Sequence, residues 1–254
     1  MNGELLDARI EQDHLSEWLE VIRTIADECK LDLSDDGLHT SVVDPANVAY
    51  TETALSPAAF DAYEFGDDEP AVYGLNASTF AQSIGVAAGS DTVRIQLDDH
   101  TRMSIDAGGV GFDRAGINPD TIRKRPEIPD LDYDVTIERL PAATLQRGVK
   151  AADMGSDQVD FVVDADESTA FIEAEGDTDD ASLDLMTGDA GLKAEADADA
   201  TMSLDYLKDM VKGLPSDSTV TLNLKSDFPL RIDFAPDDYA AKGSMFLAPR
   251  IESD

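Results

Sequence analysis

The spacing of apolar residues changes once within residues 206–224. The first part of this stretch has apolar residues at helical spacing, and the second part alternates as a strand does. Residues 80–97 repeat the order of a helix followed by a strand. Positions 93, 95 and 97 match positions 220, 222 and 224 at a constant offset of 127, half of the 254 residues. The chain is therefore predicted to be a duplicated domain.

Other segments extend this scheme to both halves. An amphipathic helix is predicted at 14–27, and its partner at offset 127 is predicted at 141–154, where Leu145 takes the place of Trp18. Strands are predicted in the first half at 5–10, 31–33, 71–73, 93–97 and 102–106, and in the second half at 159–163, 169–175, 182–186, 219–225, 230–234 and 244–247. Two helices and many strands in each half predict an α+β fold.

The charge balance is strongly acidic, with 54 acidic against 19 basic residues and a net charge of −35. A disordered acidic protein is disfavoured because periodic apolar strands recur along the chain. A nucleic-acid mimic and a folded protein adapted to molar salt remain. Adaptation to salt fits best, since the carboxylates are spread over every segment, and at about 1 M salt the Debye length is only about 3 Å. Pairs of carboxylates therefore carry no information about a site.

The apolar content and the single cysteine restrict where the protein acts. Apolar residues make up 42% of the chain, without a run of the roughly 20 that a membrane span needs. The first residues are charged and lack an apolar core, so a signal peptide is not expected. Cys29 cannot form an internal disulfide and is expected to be a core residue. These observations predict a cytoplasmic protein.

Residues 114–133 lie between the halves and have three prolines but no clear periodicity. Four basic and four acidic residues make this stretch neutral. It is either a solvated tether or a surface that partners contact. We expect domains at 1–117 and 134–254, joined by a linker at 118–133.

Motifs that carry chemistry are missing from the sequence. It has no phosphate-binding loop ending in Gly-Lys-Ser/Thr, no GxGxxG after a strand and no GxSxG. His14, His39 and His100 lack metal-ligand spacing, and the glycines of 108–111 have no basic residue among them. We therefore expect no catalytic residue, no cofactor and no metal site. A binding protein is favoured over an enzyme.

The scarce cations are grouped on predicted helices. Lys208 and Lys212 are four residues apart, and Arg147 and Lys150 are three apart, so each pair shares a helix face. At offset 127, Arg23 occupies the position of Lys150 in the first helix. One interpretation is a patch that faces a polyanion. The other is that these cations simply complement helix dipoles and acidic neighbours.

Four segments of the sequence are distinctive. They are MFLAPRIE at 245–252, SDFPLRIDF at 226–234, DSTVTL at 217–222, and Asp35-Asp36-Gly37-Leu38 leading to Val43-Asp44. These segments resemble the proliferating cell nuclear antigen family of sliding clamps, and the composition resembles a haloarchaeal member. The resemblance implies two similar domains of the DNA-clamp type, with helices lining a ring interior and antiparallel sheets outside.

The resemblance also implies a function that needs no catalysis. Three copies would form a closed homotrimer around duplex DNA, without sequence specificity, and act as a processivity factor. The ring would tether DNA polymerase, clamp loader, flap endonuclease, ligase and others through a short aromatic-containing peptide motif. The alternative is an acidic protein-binding scaffold or DNA mimic that does not encircle DNA.

The family positions carried over to this sequence define three sets of residues. The DNA-facing set is Arg23, Arg147, Lys150 and Lys212, with Lys208 added from helix geometry. The pocket for the partner peptide comprises Val43, Val48, Ile128, Pro129, Pro229, Ala248 and Pro249. A basic edge of the linker comprises Arg123, Lys124 and Arg125, and we expect it to select acidic residues that flank the peptide.

The sequence departs from the family where the first domain should be basic. Ser16, Glu17, Gln82 and Gly85 stand where lysines are usual. Contact with DNA should therefore depend mainly on the second domain. The resemblance further implies that edge strands around 108–116 and 176–186 form the contact between subunits.

Overall fold

The computed structural model describes residues 5–66, 69–99, 101–124, 128, 131–176, 179–215, 217–234 and 241–250. The chain forms two compact units. Unit 1 contains Met1–Asp44, Thr51–Pro126 and Pro236–Gly243, and unit 2 contains Pro45–Tyr50, Glu127–Ala235 and Ser244–Asp254. Each unit thus includes a short segment from the other half of the sequence.

The described part of the first half contains two α-helices, two short 3-10 helices and nine strands. The α-helices are α1 (Gln12–Arg23) and α2 (Ala77–Ile84), and the 3-10 helices are Pro57–Ala59 and Pro119–Thr121. The strands are β1 (Leu6–Glu11), β2 (Glu28–Ser34), β3 (Gly37–Val43), β4 (Ala49–Leu55), β5 (Ala62–Phe65), β6 (Ala71–Asn76), β7 (Thr92–Asp99), β8 (Arg102–Ala107) and β9 (Val110–Ala115).

The described part of the second half also contains two α-helices and nine strands. The helices are α3 (Ala142–Ala152) and α4 (Leu204–Lys212). The strands are β10 (Val135–Pro141), β11 (Gln158–Asp164), β12 (Thr169–Ala174), β13 (Ala181–Asp184), β14 (Gly191–Ala194), β15 (Ala198–Ser203), β16 (Thr219–Leu224), β17 (Leu230–Phe234) and β18 (Ala241–Leu247).

The two halves have the same strand orders. The first half contains the orders β5-β1-β7-β8-β9 and β4-β3-β2-β6, and the second half contains β14-β10-β16-β17-β18 and β13-β12-β11-β15. The pairings described between neighbouring strands within these orders are antiparallel. Each strand of one half has a counterpart in the other, which confirms the predicted duplication and the α+β fold.

The helices form where apolar residues recur at helical spacing, and they bury that face. In α1 the buried face is made by Leu15, Trp18, Leu19 and Ile22. Burying side chains of this size contributes about 1.5–3 kcal/mol each. In α2 the first turn is capped by Asn76, whose side chain accepts a hydrogen bond from the Thr79 amide at 2.8 Å. Within unit 1, α1 and α2 pack against each other.

Unit 1 is completed by a segment from near the end of the chain. Ala241 is buried in the hydrophobic core of unit 1. On β4, the Thr53 hydroxyl donates a hydrogen bond of 3.0 Å to the Lys242 carbonyl. The sequence pattern did not predict that the first residues of β18 belong with unit 1.

The offset between the two halves is not constant. Leu97 on β7 and Leu224 on β16 differ by 127. Leu97 pairs with Leu6, however, whereas Leu224 pairs with Val135. The offset between β1 and β10 has therefore grown to 129 at this point.

A bulge in β10 adds one further residue. The register shifts between Ile137 and Leu140, and Arg139 within the bulge has a φ of 53°. Bulges of this kind insert one unpaired residue into a strand. From the bulge onward the halves match at an offset of 130, so Glu11 and Pro141 are the equivalent residues that precede α1 and α3.

The change of offset along the chain makes the predicted alignment of the first helices wrong. Trp18 matches Gly148 rather than Leu145, and a side chain on Gly148 would overlap Ile172. Lys150 matches Glu20 rather than Arg23. The offset of 127 holds for the strands that follow the second helix of each half, but the second half is three residues shorter than the first between its first helix and those strands, so the offset at the helices is 130.

Candidate functional site

Four of the five predicted DNA-facing residues lie together on α3 and α4, which pack against each other in unit 2. Arg147 and Lys150 are exposed on α3, three residues apart. Lys208 and Lys212 are exposed on α4, four residues apart. The fifth, Arg23, is at the end of α1 in unit 1.

A glutamine fixes the end of α4 against α3. The Gln146 side-chain amide donates to the carbonyls of Val211 and Leu214, both at 2.9 Å. The Val211 carbonyl also accepts a hydrogen bond from the Leu214 amide at 3.2 Å, so the glutamine adds to the cap of α4 and binds a carbonyl two residues beyond the helix. Lys212 is therefore on a helix end held in a defined position.

The cations of the α3–α4 pair differ in their partners. Lys208 Nζ lies 2.6 Å from Asp153 Oδ2, just beyond the end of α3. The hydrogen bond to Asp153 raises the pKa of Lys208 above its ordinary value. Within the described ranges, Arg147, Lys150 and Lys212 form no ion pair.

The matching face of α1 has the opposite charges. At offset 130, the row Glu17, Glu20, Arg23 of α1 corresponds to the row Arg147, Lys150, Asp153 of α3. Each acidic position in one row is basic in the other, and each basic position is acidic. Arg23 is itself ion-paired with Glu20. The second helix of unit 1, α2, has no charged residue.

The predicted pocket residues are partly exposed where they are described. Val48, Ile128, Pro229, Ala248 and Pro249 are half-buried in unit 2, and Val43 is half-buried at the end of β3 in unit 1. The Ala248 amide donates to the Val48 carbonyl at 2.9 Å, so these two residues adjoin. Pro129 lies outside the described residues.

Aromatic residues accompany this apolar set in unit 2, and the sequence analysis missed them. Tyr133 and Phe228 meet edge to face with ring centroids 5.6 Å apart. Burial raises the pKa of Tyr133 to about 12. The Tyr50 and Phe246 rings are 5.7 Å apart. Phe228 directly precedes Pro229, a predicted pocket residue, and this adjacency in sequence could have indicated that Phe228 lies near the pocket.

The start of the linker is docked in unit 1. The Ile117 amide donates to the Gly74 carbonyl at 2.8 Å, and a side chain at Gly74 would overlap the Ile117 carbonyl. Arg123 and Lys124 are exposed, and Arg125 lies outside the described residues. A cavity of about 380 Å³ adjoins this segment and is lined by Lys30, Asp32, Val72, Pro119, Asp120 and Lys124.

β9 and β13 are two of the strands that lie at sheet edges within the chain. β9 is the last strand in the order β5-β1-β7-β8-β9, and β13 is the first in the order β13-β12-β11-β15. Both fall within the segments expected to form the subunit contact. Val110 on β9 is 46% exposed.

The described residues contain neither a metal-binding cluster nor a membrane-spanning helix. Among the described residues, no group of three or more His, Cys, Asp or Glu side chains could hold a metal ion. In that same part of the chain, no helix is both long enough and apolar enough to cross a membrane.

Comparison with known proteins gives consistent results along the chain. Residues 5–105 match the N-terminal domain model of proliferating cell nuclear antigen, and residues 127–250 match the C-terminal domain model. Proteins named DNA polymerase sliding clamp are 37% identical in Haloarcula marismortui and 38% identical in Natronomonas pharaonis, each covering 98% of this chain and 100% of the relative.

A solved structure agrees with the sequence comparisons. It is described as the C-terminal region of FEN-1 bound to A. fulgidus PCNA, and it aligns with a TM-score of 0.90 at 29% identity. The alignment covers 98% of this chain and 100% of that chain. With two domains of matching strand order, four helices and family matches to both domains, the chain belongs to the proliferating cell nuclear antigen family.

Proposed function

We propose that this protein is a DNA sliding clamp, a ring that encircles duplex DNA and tethers DNA polymerase and other replication and repair proteins. The observation that carries this proposal is the match to proteins named DNA polymerase sliding clamp over 98% of the chain. The function needs no catalytic residue, and the protein would act on chromosomal DNA in the cytoplasm.

The ring would be a homotrimer built through the two open sheet edges. β9 of one copy would pair with β13 of the next, which satisfies the backbone groups that both edges leave unpaired. Such a head-to-tail contact uses two different surfaces and closes into a ring when the rotation per copy allows it. The partly exposed edges of this chain support that arrangement.

Duplex DNA would be held by the cations of α3 and α4. Lysine and arginine contacts to phosphate are independent of base sequence, as sliding requires. Arg147, Lys150, Lys208 and Lys212 are exposed on two packed helices, which suits them to this role. Arg23 would contribute less, because it is paired with Glu20 in an acidic row.

Partner proteins would bind through a short peptide that contains aromatic residues. DNA polymerase, clamp loader, flap endonuclease and ligase are the expected partners. The half-buried residues near Val48 and Ala248 would receive the apolar side chains of the peptide in a helix-in-groove mode. Tyr133 and Phe228 extend the apolar surface available in unit 2. The resemblance of the chain to a FEN-1-bound clamp supports this proposal.

The proposed function is tested by assembly and by retention on DNA. We expect light scattering in molar KCl to give the mass of a trimer. A clamp loaded onto a nicked circular plasmid should stay bound, and it should be released after the plasmid is linearised. A monomer that binds partner peptides without being retained on the circle would favour the acidic scaffold or DNA mimic instead.

The linker cations provide a separate test of partner selection. Reversing all three charges (R123E/K124E/R125E) should weaken binding of a partner peptide flanked by acidic residues, because favourable charge contacts become repulsive. Fluorescence anisotropy at the lowest salt that keeps the protein folded measures this. A peptide with neutral flanks is the control and should bind as before. Equal affinity of the variant and wild type for the acidic peptide would contradict a selective role.

A further inference from the structure

The acidic residue that ends the α3 row contacts a cation of the neighbouring helix. Asp153 follows Arg147 and Lys150 at intervals of three residues, and its backbone is still helical. Asp153 is therefore a neighbour of Lys150 on the helix surface, as Lys150 is of Arg147. There it accepts a hydrogen bond from Lys208, with 2.6 Å between the nitrogen and the oxygen. The row that would contact DNA thus contains its own anion.

This ion pair is poorly suited to stabilising the fold. The Lys208 side chain is 50% exposed and the Asp153 side chain is 37% exposed. Exposed ion pairs are weak because water screens them and two long side chains must be held in place. The hydrogen bonds from Gln146 already fix α4 against α3.

The same ion pair strongly affects how the surface attracts an anion. The Asp153 carboxylate accepts a hydrogen bond from the Lys208 ammonium at short distance and offsets its charge, so a phosphate that approaches Lys208 meets a weaker attraction and a nearby negative charge. Arg147, Lys150 and Lys212 present no such obstacle among the described residues. The two kinds of cation are therefore unequal as phosphate ligands, although all four are exposed.

We propose that Asp153 competes with DNA phosphate for Lys208, so that duplex DNA is held first by Arg147, Lys150 and Lys212. Lys208 attracts phosphate fully only when its ion pair opens. This inference rests on the proposed function as a clamp and concerns how strongly the ring holds DNA. By withholding one phosphate contact, Asp153 limits the grip of the helix pair and keeps the ring free to slide.

A double-mutant cycle tests this competition. The proteins are wild type, D153N, K208A and D153N/K208A, each as the full chain. Affinity for a short duplex is measured by fluorescence anisotropy over the KCl range in which circular dichroism shows every variant folded. We expect D153N to raise affinity on the order of tenfold at the lowest salt. The slope of log affinity against log salt should steepen by about 0.9 for each additional phosphate that the variant neutralises.

The matched control is D209N, which removes one exposed carboxylate from α4 in the vicinity of Lys208. D209N reports the effect of lowering the negative charge without releasing the hydrogen bond from Lys208. Competition predicts that D153N raises affinity more than D209N does, and that this excess disappears when each of the two substitutions is made in the K208A background. Equal increases for D153N and D209N, or an excess that persists without Lys208, would overturn the inference.

Retention of the wild type on closed circular DNA separates this inference from the proposed function. If the wild type is retained but the excess for D153N is missing, the competition fails and the clamp function stands. If the wild type is not retained while the excess is present, the clamp function fails although Asp153 still competes with phosphate.

Discussion

The α1 and α3 helices occupy matching places in the two halves, yet the charges on their exposed rows are reversed. The row of α1 is Glu17, Glu20 and Arg23, whereas the row of α3 is Arg147, Lys150 and Asp153. Strand order and buried apolar positions are what the halves share. The duplicated halves have kept the strand order and the buried apolar positions that the fold requires, while the charges of the two helix rows have become opposite. The comparison also depends on the residue added at Arg139, without which the rows are misaligned.

The largest effect should come from deleting one residue of β1, and the equivalent deletion in β10 should be tolerated. In β1, Ala8 and Ile10 alternate into the core, so deleting Arg9 either turns Ile10 outward or rotates α1 by about 100°. We expect the Arg9 deletion to lose several kcal/mol of the free energy of unfolding, or to prevent folding, since core residues are worth about 2–5 kcal/mol each.

Deleting Arg139 is the matched control for that comparison. The deletion would restore regular alternation between Ile137 and Leu140 and remove a positive φ, so we expect a change within about 1 kcal/mol. Guanidinium unfolding at fixed molar KCl measures both variants. Equal damage from the two deletions would contradict the assignment of Arg139 as the residue added by the bulge.

Giving α3 the charges of α1 should nearly abolish binding to DNA. The variant R147E/K150E removes two phosphate ligands from each copy and adds repulsion, so affinity for a short duplex should fall on the order of a hundredfold at low salt. Anisotropy titrations measure it. The control K193E/K225E makes the same change in net charge in the sheet region of unit 2. If both variants lose affinity equally, net charge rather than the α3 row governs binding.

Giving α1 the charges of α3 should have a smaller and opposite effect. The variant E17K/E20K removes two repulsive charges and frees Arg23 from its partner Glu20. We expect affinity for the duplex to rise on the order of tenfold, with a steeper dependence on salt. E64K/E69K, with both changes outside α1, makes the same change in net charge and serves as the control. An increase no larger than that of the control would mean that α1 does not approach DNA.

The smallest effect concerns an ion pair that unit 2 lacks. The hydrogen bond from Arg94 on β7 lowers the pKa of Asp7 on β1, and the residue of unit 2 that corresponds to Asp7 is Thr136. A lowered pKa stabilises the fold at pH values above the ordinary value near 3.9, and this stabilisation is lost as the pH falls through the folded value.

The variant D7N should therefore be less stable at neutral pH by at most about 1 kcal/mol, and should lose less stability than wild type on acidification. Chemical unfolding at several pH values measures this, with D209N as the control for loss of one carboxylate. If D7N lost as much stability as wild type between neutral and acid pH, the pair would not be the source of the acid sensitivity.

The sequence predicted the helices and eleven of the described strands, because their buried residues recur with a clear period. The apolar pattern did not predict β3, β4, β5, β10, β14 or β15, and β9 was expected only from the resemblance. The four residues of β14 are mostly half-exposed, so apolar alternation is weak there. The sequence analysis also paired Trp18 with Leu145, since a three-residue difference in length between the first helix and the later strand leaves no mark on apolar spacing nearby. Only the pairing register revealed that Gly148 is the true counterpart.

The predicted sites depended on different kinds of information. Helical spacing alone placed Lys208 on the face of Lys212, and in the structure both residues are exposed on α4. Spacing could not show the contact between Lys208 and Asp153, because these residues are far apart in sequence and meet only through packing of two helices. The ring contact between Tyr133 and Phe228 was hidden for the same reason.

The segment 241–243 has a consequence for how the protein is made. Ala241 and Lys242 are needed to complete unit 1, yet they are synthesised long after the rest of it. During translation the first half can form most of its core, but the edge near Thr53 stays open until residues 241–243 leave the ribosome. An unpaired strand edge promotes association between nascent chains, and the abundant carboxylates oppose this by mutual repulsion. The acidic composition would thus protect the protein before it is folded as well as after.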